Sequence, residues 1–218
     1  MAHQAIIAGA SGLIGGVLLD ILLQHPDYED VLILVRKELS LQHKKLKQLV
    51  IDFEKLEDNA GSLTGDALFC CLGSTQKKTP DLTVYRKVDH DYPLRLAEIA
   101  LKNKVGQYHL VSALGANPSA SNFYLKMKGE TEADVKKLGL HSLHIYQPSF
   151  LTGDRKEKRR GERFFIGLMK IINPLLLGGL KKYRSIPAAT IANAMYKESL
   201  TNEAGIFIHP SDKIKLLA

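Results

Sequence analysis

Tyr124 and Lys128 stand four residues apart, and Ser112 lies twelve residues before the tyrosine. These three side-chain types can manage a proton at a carbonyl or alcohol oxygen. Hydride transfer to a carbonyl leaves negative charge on the oxygen, which must be hydrogen-bonded and then protonated. A phenol can deliver that proton, but its ordinary pKa of about 10 makes it a poor base in the reverse direction. A cation beside it favours the phenolate and lowers that value. The i, i+4 spacing puts Lys128 on the same helix face as Tyr124, where it would also bind a nicotinamide ribose. Ser112, at the end of a neighbouring strand, would hold the substrate oxygen. The Tyr-x-x-x-Lys spacing alone is common on amphipathic helices, and Ser112 gives it chemical meaning.

A hydride carrier must be bound nearby, and the start of the chain offers a place for one. The first strand runs into Gly9-Ala10-Ser11-Gly12-Leu13-Ile14-Gly15. Gly9 permits a tight turn, Gly12 lets backbone approach a pyrophosphate, and Gly15 lets helix and strand pack closely. The amides from Ser11 through Ile14 would open a helix whose positive end faces phosphate. The second strand ends in Arg36-Lys37, where an acid would favour NAD. An arginine pairs in bidentate fashion with a 2′-phosphate, so NADP(H) is the expected cofactor. Asp52 and Phe53 follow the third strand, where Asp52 would accept from an adenine amino group and Phe53 would pack on the ring. Leu72-Gly73-Ser74 ends the fourth strand, and Gly73 would let the cofactor lie against backbone.

These residues need a scaffold, and the hydrophobic pattern supplies one. Strands are expected at Gln4 to Ala8, Asp30 to Val35, Lys47 to Ile51, Ala67 to Leu72, Gln107 to Ser112, Ser142 to Tyr146 and Gly205 to His209. Helices are expected at Leu13 to Gln24, Leu82 to Lys102 with a new turn or kink at Pro93, and Ser121 to Leu138. Strands alternating with helices imply an α/β fold, a Rossmann-type doubly wound parallel sheet with helices on both faces. The 218 residues, 45% of them hydrophobic, suit one domain spanning 1–218. Residues 151–185 would form a small C-terminal region covering the substrate or meeting a partner.

Several classes are set aside on composition. The longest apolar stretch, Phe164 to Leu180, is interrupted by Lys170, Asn173, Pro174 and glycines, which argues against an integral membrane segment. Met1-Ala2-His3-Gln4 leads directly into a strand, so no signal peptide is expected and a cytoplasmic location is the default. The adjacent Cys70 and Cys71 would point to opposite strand faces, and both are expected to be reduced. The eight histidines are scattered, and no Cys/His spacing resembles a zinc site. Much of the net charge of +7 sits in Arg155-Lys156-Glu157-Lys158-Arg159-Arg160. That run lacks interleaved aromatics, which argues against nucleic acid as a partner. A solvated loop leading into a covering helix is the expectation, with Phe164, Phe165, Leu168 and Met169 lining a substrate cleft or a subunit interface. An apolar cleft suits a hydrophobic small molecule.

The motifs together resemble the short-chain dehydrogenase/reductase superfamily, in its atypical branch of Tat-interacting-protein-like oxidoreductases. The resemblance rests on Gly9-Ala10-Ser11-Gly12, Val50 through Leu56, Phe69-Cys70-Cys71-Leu72-Gly73-Ser74-Thr75, Val88-Asp89-His90-Asp91-Tyr92, and Tyr124 through Glu130. It implies NADP(H) on a Rossmann sheet, with Ser112, Tyr124 and Lys128 in the roles above. Two positions depart from the superfamily's pattern. Asp89 stands where an Asn often holds a relay water, which implies an altered or absent relay. Gln147-Pro148-Ser149 replaces Arg-Pro-Gly, so Pro148 and Phe150 would position the nicotinamide amide through backbone, and Ser149 lacks a glycine's freedom. The expected function is an NADP(H)-dependent oxidoreductase acting on a small carbonyl or alcohol. The alternative is an NADPH-binding regulatory module whose protein partner matters more than turnover, a role the branch also implies.

Overall fold

The computed structural model describes residues 3–152 and 182–218. Seven parallel strands form its main sheet: β1 (His3–Ala8), β2 (Tyr28–Val35), β3 (Leu46–Val50), β4 (Ala67–Cys70), β5 (Gln107–Val111), β6 (Ser142–Gln147) and a late strand, Gly205–Pro210. Between β6 and that late strand, β7 (Leu151–Thr152) and β8 (Ile186–Pro187) pair as a separate two-stranded ribbon, which makes the late strand β9. The sheet order is β3-β2-β1-β4-β5-β6-β9. Chain order reverses between β1 and β4, the switch point where ligands bind in such sheets.

Both faces are covered, which is why strands such as β1 bury side chains of both parities. Ala5 and Ile7 face one core with α1 (Leu13–Gln24), whose Ile14, Leu18 and Leu22 form a buried stripe. Pro26 bars α1 from continuing. Ile6 and Ala8 face the other core with Leu56, Leu96, Ala100 and Val135. The doubly wound expectation therefore holds, and strand ends match within about two residues. The 3₁₀ turns of Phe53–Ser62 and two late helices were not anticipated. The basic run, the four apolar residues expected to line a cleft, and most of the covering region lie outside the described residues.

The helix expected from Leu82 to Lys102, with a new turn or kink at Pro93, is three pieces: α2 (Leu82–Arg86), a π-helical turn (Lys87–Asp91) and α3 (Tyr92–Lys102). Pro93 is the reason. It has no N–H, so the Asp89 carbonyl loses its usual helical donor. Thr131 of α4 (Phe123–Lys137) lies against it, its Oγ1 3.1 Å from that carbonyl and 2.9 Å from the Met127 carbonyl, so one hydroxyl hydrogen is shared between the two. The widened turn buries the Asp89 side chain instead of presenting it to water.

Gly129 fixes how α4 sits. A Cβ there would lie 2.2 Å from the Asn117 carbonyl carbon and 2.4 Å from the Pro118 nitrogen. Both are backbone atoms of the loop crossing over the helix, so neither yields by rotation. Gly129→Ala is expected to destabilise the protein by about 2 kcal/mol or more in chemical denaturation. An unchanged midpoint would show that the loop is free to move aside.

α5 (Ala188–Glu198) packs across α1, and α6 (Ser211–Leu217) follows β9. No helix among the described residues is long and apolar enough to cross a membrane.

Candidate active site

Because every strand of the main sheet is parallel, the residues just beyond the strand ends share one edge. Gly9 follows β1, Arg36 and Lys37 follow β2, and Asp52 lies just beyond β3. Leu72-Gly73-Ser74 lies just beyond β4, Ser112 follows β5, and Pro148 follows β6. The sheet thus brings together residues that the sequence scatters over 140 positions.

Gly9 turns the chain at φ 91°, in the left-handed region that favours glycine. A Cβ on it would lie 2.6 Å from the Cys71 carbonyl oxygen, and one on Gly15 would lie 2.3 Å from the Gly9 carbonyl oxygen. Gly12 starts α1, exposed, its amide donating to the Gly9 carbonyl at 2.9 Å. Among the described residues no side chain caps this helix, and its first turn carries no acid. The uncapped amides of Leu13 and Ile14 and the exposed Ser11 therefore suit an anion. A pyrophosphate fits this donor set.

Arg36 and Lys37 are both exposed beside this loop's edge. Asp52 caps the following turn, its Oδ1 accepting from the Glu54 amide at 3.0 Å. Phe53 is committed to the core, its ring 5.5 Å from that of Tyr92. Leu72 is half-buried. Cys70 and Cys71 are free thiols, pushed up in pKa by burial.

Lys128 is buried, and its charge is balanced. Its Nζ lies 3.0 Å from Asp89 Oδ1 and donates to the Val111 carbonyl at 3.3 Å. Asp89 Oδ2 accepts from the Ser74 amide at 2.7 Å. Burial alone would push the lysine pKa down. The Asp89 carboxylate, with Tyr124 nearby, outweighs this and holds it above the ordinary value. A Cβ on Gly73 would sit 3.4 Å from Asp89 Oδ1 and 4.0 Å from Lys128 Nζ, so bare backbone passes directly over the pair. Tyr124, one turn before Lys128 on α4, is 36% exposed and open to a substrate. Asp89 therefore serves as the partner of Lys128, in place of the Asn that often holds a relay water at this position.

Ser112 is held by a residue that sequence reasoning missed. Its hydroxyl donates to Glu132 Oε1 at 2.5 Å, and the Gln147 side-chain amide donates to both Glu132 oxygens at 2.9 and 3.0 Å. Glu132 is buried on the same face of α4 as Tyr124 and Lys128, at i+8 and i+4. That periodicity was the available signal. Replacing Glu132 with Leu leaves the Ser112 hydroxyl and the Gln147 amide without their acceptor. A stability loss of about 2 kcal/mol or more in urea denaturation is expected, and no loss would mean the network is dispensable.

After β6, the Pro148 carbonyl accepts from the Leu114 amide at 2.9 Å, and the exposed Phe150 passes its carbonyl to Ile186. Ser149 does not need a glycine's freedom. Lys104 is the one non-glycine with positive φ among the described residues. The Ser149 hydroxyl is used instead, donating to the Arg184 carbonyl and lying 3.0 Å from Ser211 Oγ.

Comparison with known proteins agrees with this architecture. A family described as NAD(P)H-binding matches residues 9–165. The protein HTATIP2 of Rattus norvegicus is 34% identical over 206 residues, covering 93% of this chain and 83% of its own. The mitochondrial protein fmp52 of Aspergillus clavatus is 31% identical over 227 residues, covering 100% of this chain and 95% of its own. Among solved structures, the Bordetella bronchiseptica enzyme WbmH in complex with NAD⁺ superposes with a TM-score of 0.72 at 16% identity, covering 96% of this chain and 75% of that one. A UDP-N-acetylglucosamine 4-epimerase from Methanobrevibacter ruminantium gives 0.69 at 17% identity, covering 96% and 76%. At such identities the structures establish the fold, a Rossmann-type sheet, while the family match and the closer relatives establish kinship. The chain belongs to the NAD(P)H-binding family, in the Tat-interacting-protein-like branch of atypical short-chain dehydrogenases/reductases.

Proposed function

We propose that this protein is an NADP(H)-dependent oxidoreductase acting on a small, apolar carbonyl or alcohol. The observation that carries the reading is Tyr124 one helical turn from the buried Lys128–Asp89 pair, beneath Gly73 at the edge that also holds the glycine turn. The nicotinamide, when bound, supplies or accepts the hydride. Gly9 through Gly15 hold the pyrophosphate, and Arg36 with Lys37 meets the 2′-phosphate. Asp52 keeps one carboxylate oxygen for the adenine, while Leu72, Gly73, Ser74, Pro148 and Phe150 line the nicotinamide side. Tyr124 delivers the proton to the carbonyl oxygen, and Lys128 steadies the phenolate that results. Ser112, whose hydrogen points at Glu132, holds the substrate oxygen once its hydroxyl turns to donate to it, and Gln147 continues to satisfy Glu132.

Two observations favour a second reading, the NADPH-binding regulatory module. The Ser112 hydroxyl is already bonded, and Asp89 offsets the lysine charge that would activate Tyr124. A homodimer or another protein would then be the functional partner. The fungal relatives named mitochondrial make a mitochondrial association the competitor to a cytoplasmic site, which cell fractionation resolves.

The cofactor assignment is tested by Arg36→Asp. Loss of the guanidinium and gain of an acid are expected to reduce the preference for NADPH over NADH by about tenfold or more. A variant keeping the full preference would remove Arg36 from the 2′-phosphate site.

A further inference from the structure

A second cluster of reactive side chains lies on the sheet face that packs against α1 and α5. In the parallel register, Tyr146 of β6 pairs with His209 of β9, and His144 pairs with Phe207. His144 and His209 therefore project from the same sheet face, two steps apart. Glu198, the last residue of α5, comes down on them. His144 Nδ1 and His209 Nε2 are 3.1 Å apart, and Glu198 Oε2 lies 3.6 Å from the first and 3.7 Å from the second.

We propose that His144, Glu198 and His209 form a binding site for one divalent transition-metal ion of the zinc class, separate from the nucleotide site. A hydrogen bond between the imidazoles explains the 3.1 Å contact. It does not explain a carboxylate oxygen standing almost equidistant from both nitrogens and beyond hydrogen-bond length of either. A cation among the three atoms explains both. A triangle with these edges has its centre about 2.0 Å from every corner, which matches zinc–nitrogen and zinc–oxygen bond lengths. Two imidazole nitrogens and one carboxylate oxygen suit zinc and its neighbours, whereas magnesium and calcium prefer all-oxygen sets.

The surroundings also fit. The other His144 nitrogen, Nε2, lies 3.1 Å from Ser142 Oγ, the kind of outer contact that orients a ligating imidazole. Both histidines are buried, while the Glu198 side chain keeps 17% of its surface in solvent and leaves a way in for a water as fourth ligand. Ser142 and Ser199, neighbours of the cluster, line a cleft of 280 Å³ together with Gly106, Gln107 and Glu203. The ion would tie the edge strand β9 and the end of α5 to β6. The ligands are far apart in sequence, which is why no zinc spacing is visible there.

The test uses the full chain, treated with EDTA, dialysed, and titrated with zinc sulfate by calorimetry and with cobalt chloride by visible absorption. One equivalent bound at micromolar affinity or tighter, with the intense cobalt bands of a four-coordinate site, is expected. Glu198→Gln keeps the size of a partly exposed side chain and should weaken both ions tenfold or more, with an unchanged far-ultraviolet circular dichroism spectrum. Ser142→Ala should weaken zinc by about tenfold through loss of the outer contact. Binding of less than one equivalent by the parent chain would overturn the proposal. So would equal affinity in Glu198→Gln, since the metal would then sit elsewhere.

Discussion

Tyr124→Phe is expected to lower turnover by about 10²- to 10⁴-fold while leaving NADPH affinity within about twofold of the parent. The substitution removes one oxygen and keeps the ring, whose side chain is 36% exposed. The fold should therefore hold, and any loss belongs to proton transfer. The glycine turn, Arg36 and Gly73 do not involve the phenol, so dinucleotide binding should survive. The outcome also separates the two functional readings. A variant with parental turnover would remove Tyr124 from the chemistry. A variant without turnover that still supports the protein's cellular role would favour the regulatory module.

The second large effect is expected at Asp89. Asp89→Ala leaves Lys128 buried without its counter-charge and the Ser74 amide without its acceptor. Removing one member of a buried ion pair typically costs about 3–5 kcal/mol, because the remaining charge is stranded. Chemical denaturation should show a loss of that order. Asp89→Asn keeps an acceptor for Ser74 and removes the negative charge facing Lys128. Without that carboxylate, burial dominates and the Lys128 pKa falls. The alkaline limb of the pH–rate profile, where Lys128 loses its proton, should therefore move toward acid. An Asp89→Asn profile that coincides with the parent's would mean the Lys128 charge does not govern Tyr124.

The sheet and the strand-end residues were legible because each signal is local. An apolar run such as Val31 to Val35 is a buried parallel strand almost by composition, and parallelism then places Gly9, Arg36, Gly73 and Ser112 at one edge. The Tyr124–Lys128 relation needs only one helical turn. What was not legible depends on contacts between distant segments. Asp89 reaches Lys128 through the turn that Pro93 forces and Thr131 stabilises, and nothing at Asp89 itself announces it. Glu132 is enclosed by Ser112 at the end of β5 and Gln147 of β6, partners that only the fold brings to it. α5 was overlooked because alanines, Ala188, Ala192 and Ala194, make up half of its buried face beside Ile191, Met195 and Tyr196, a weak periodic signal. That small face is what lets it lie close against α1.

The most direct test of the account is thermal unfolding of the parent chain with NADPH, NADP⁺, NADH and NAD⁺ in turn. A ligand present at about 100 times its dissociation constant and selective for the native state adds about 2.7 kcal/mol. In a chain of this size that corresponds to a Tm increase of roughly 5–10 °C. The account predicts such a rise with NADPH and NADP⁺ and a smaller one with NADH and NAD⁺ at equal concentration. An unchanged Tm with all four would contradict it, for the oxidoreductase and the regulatory module alike.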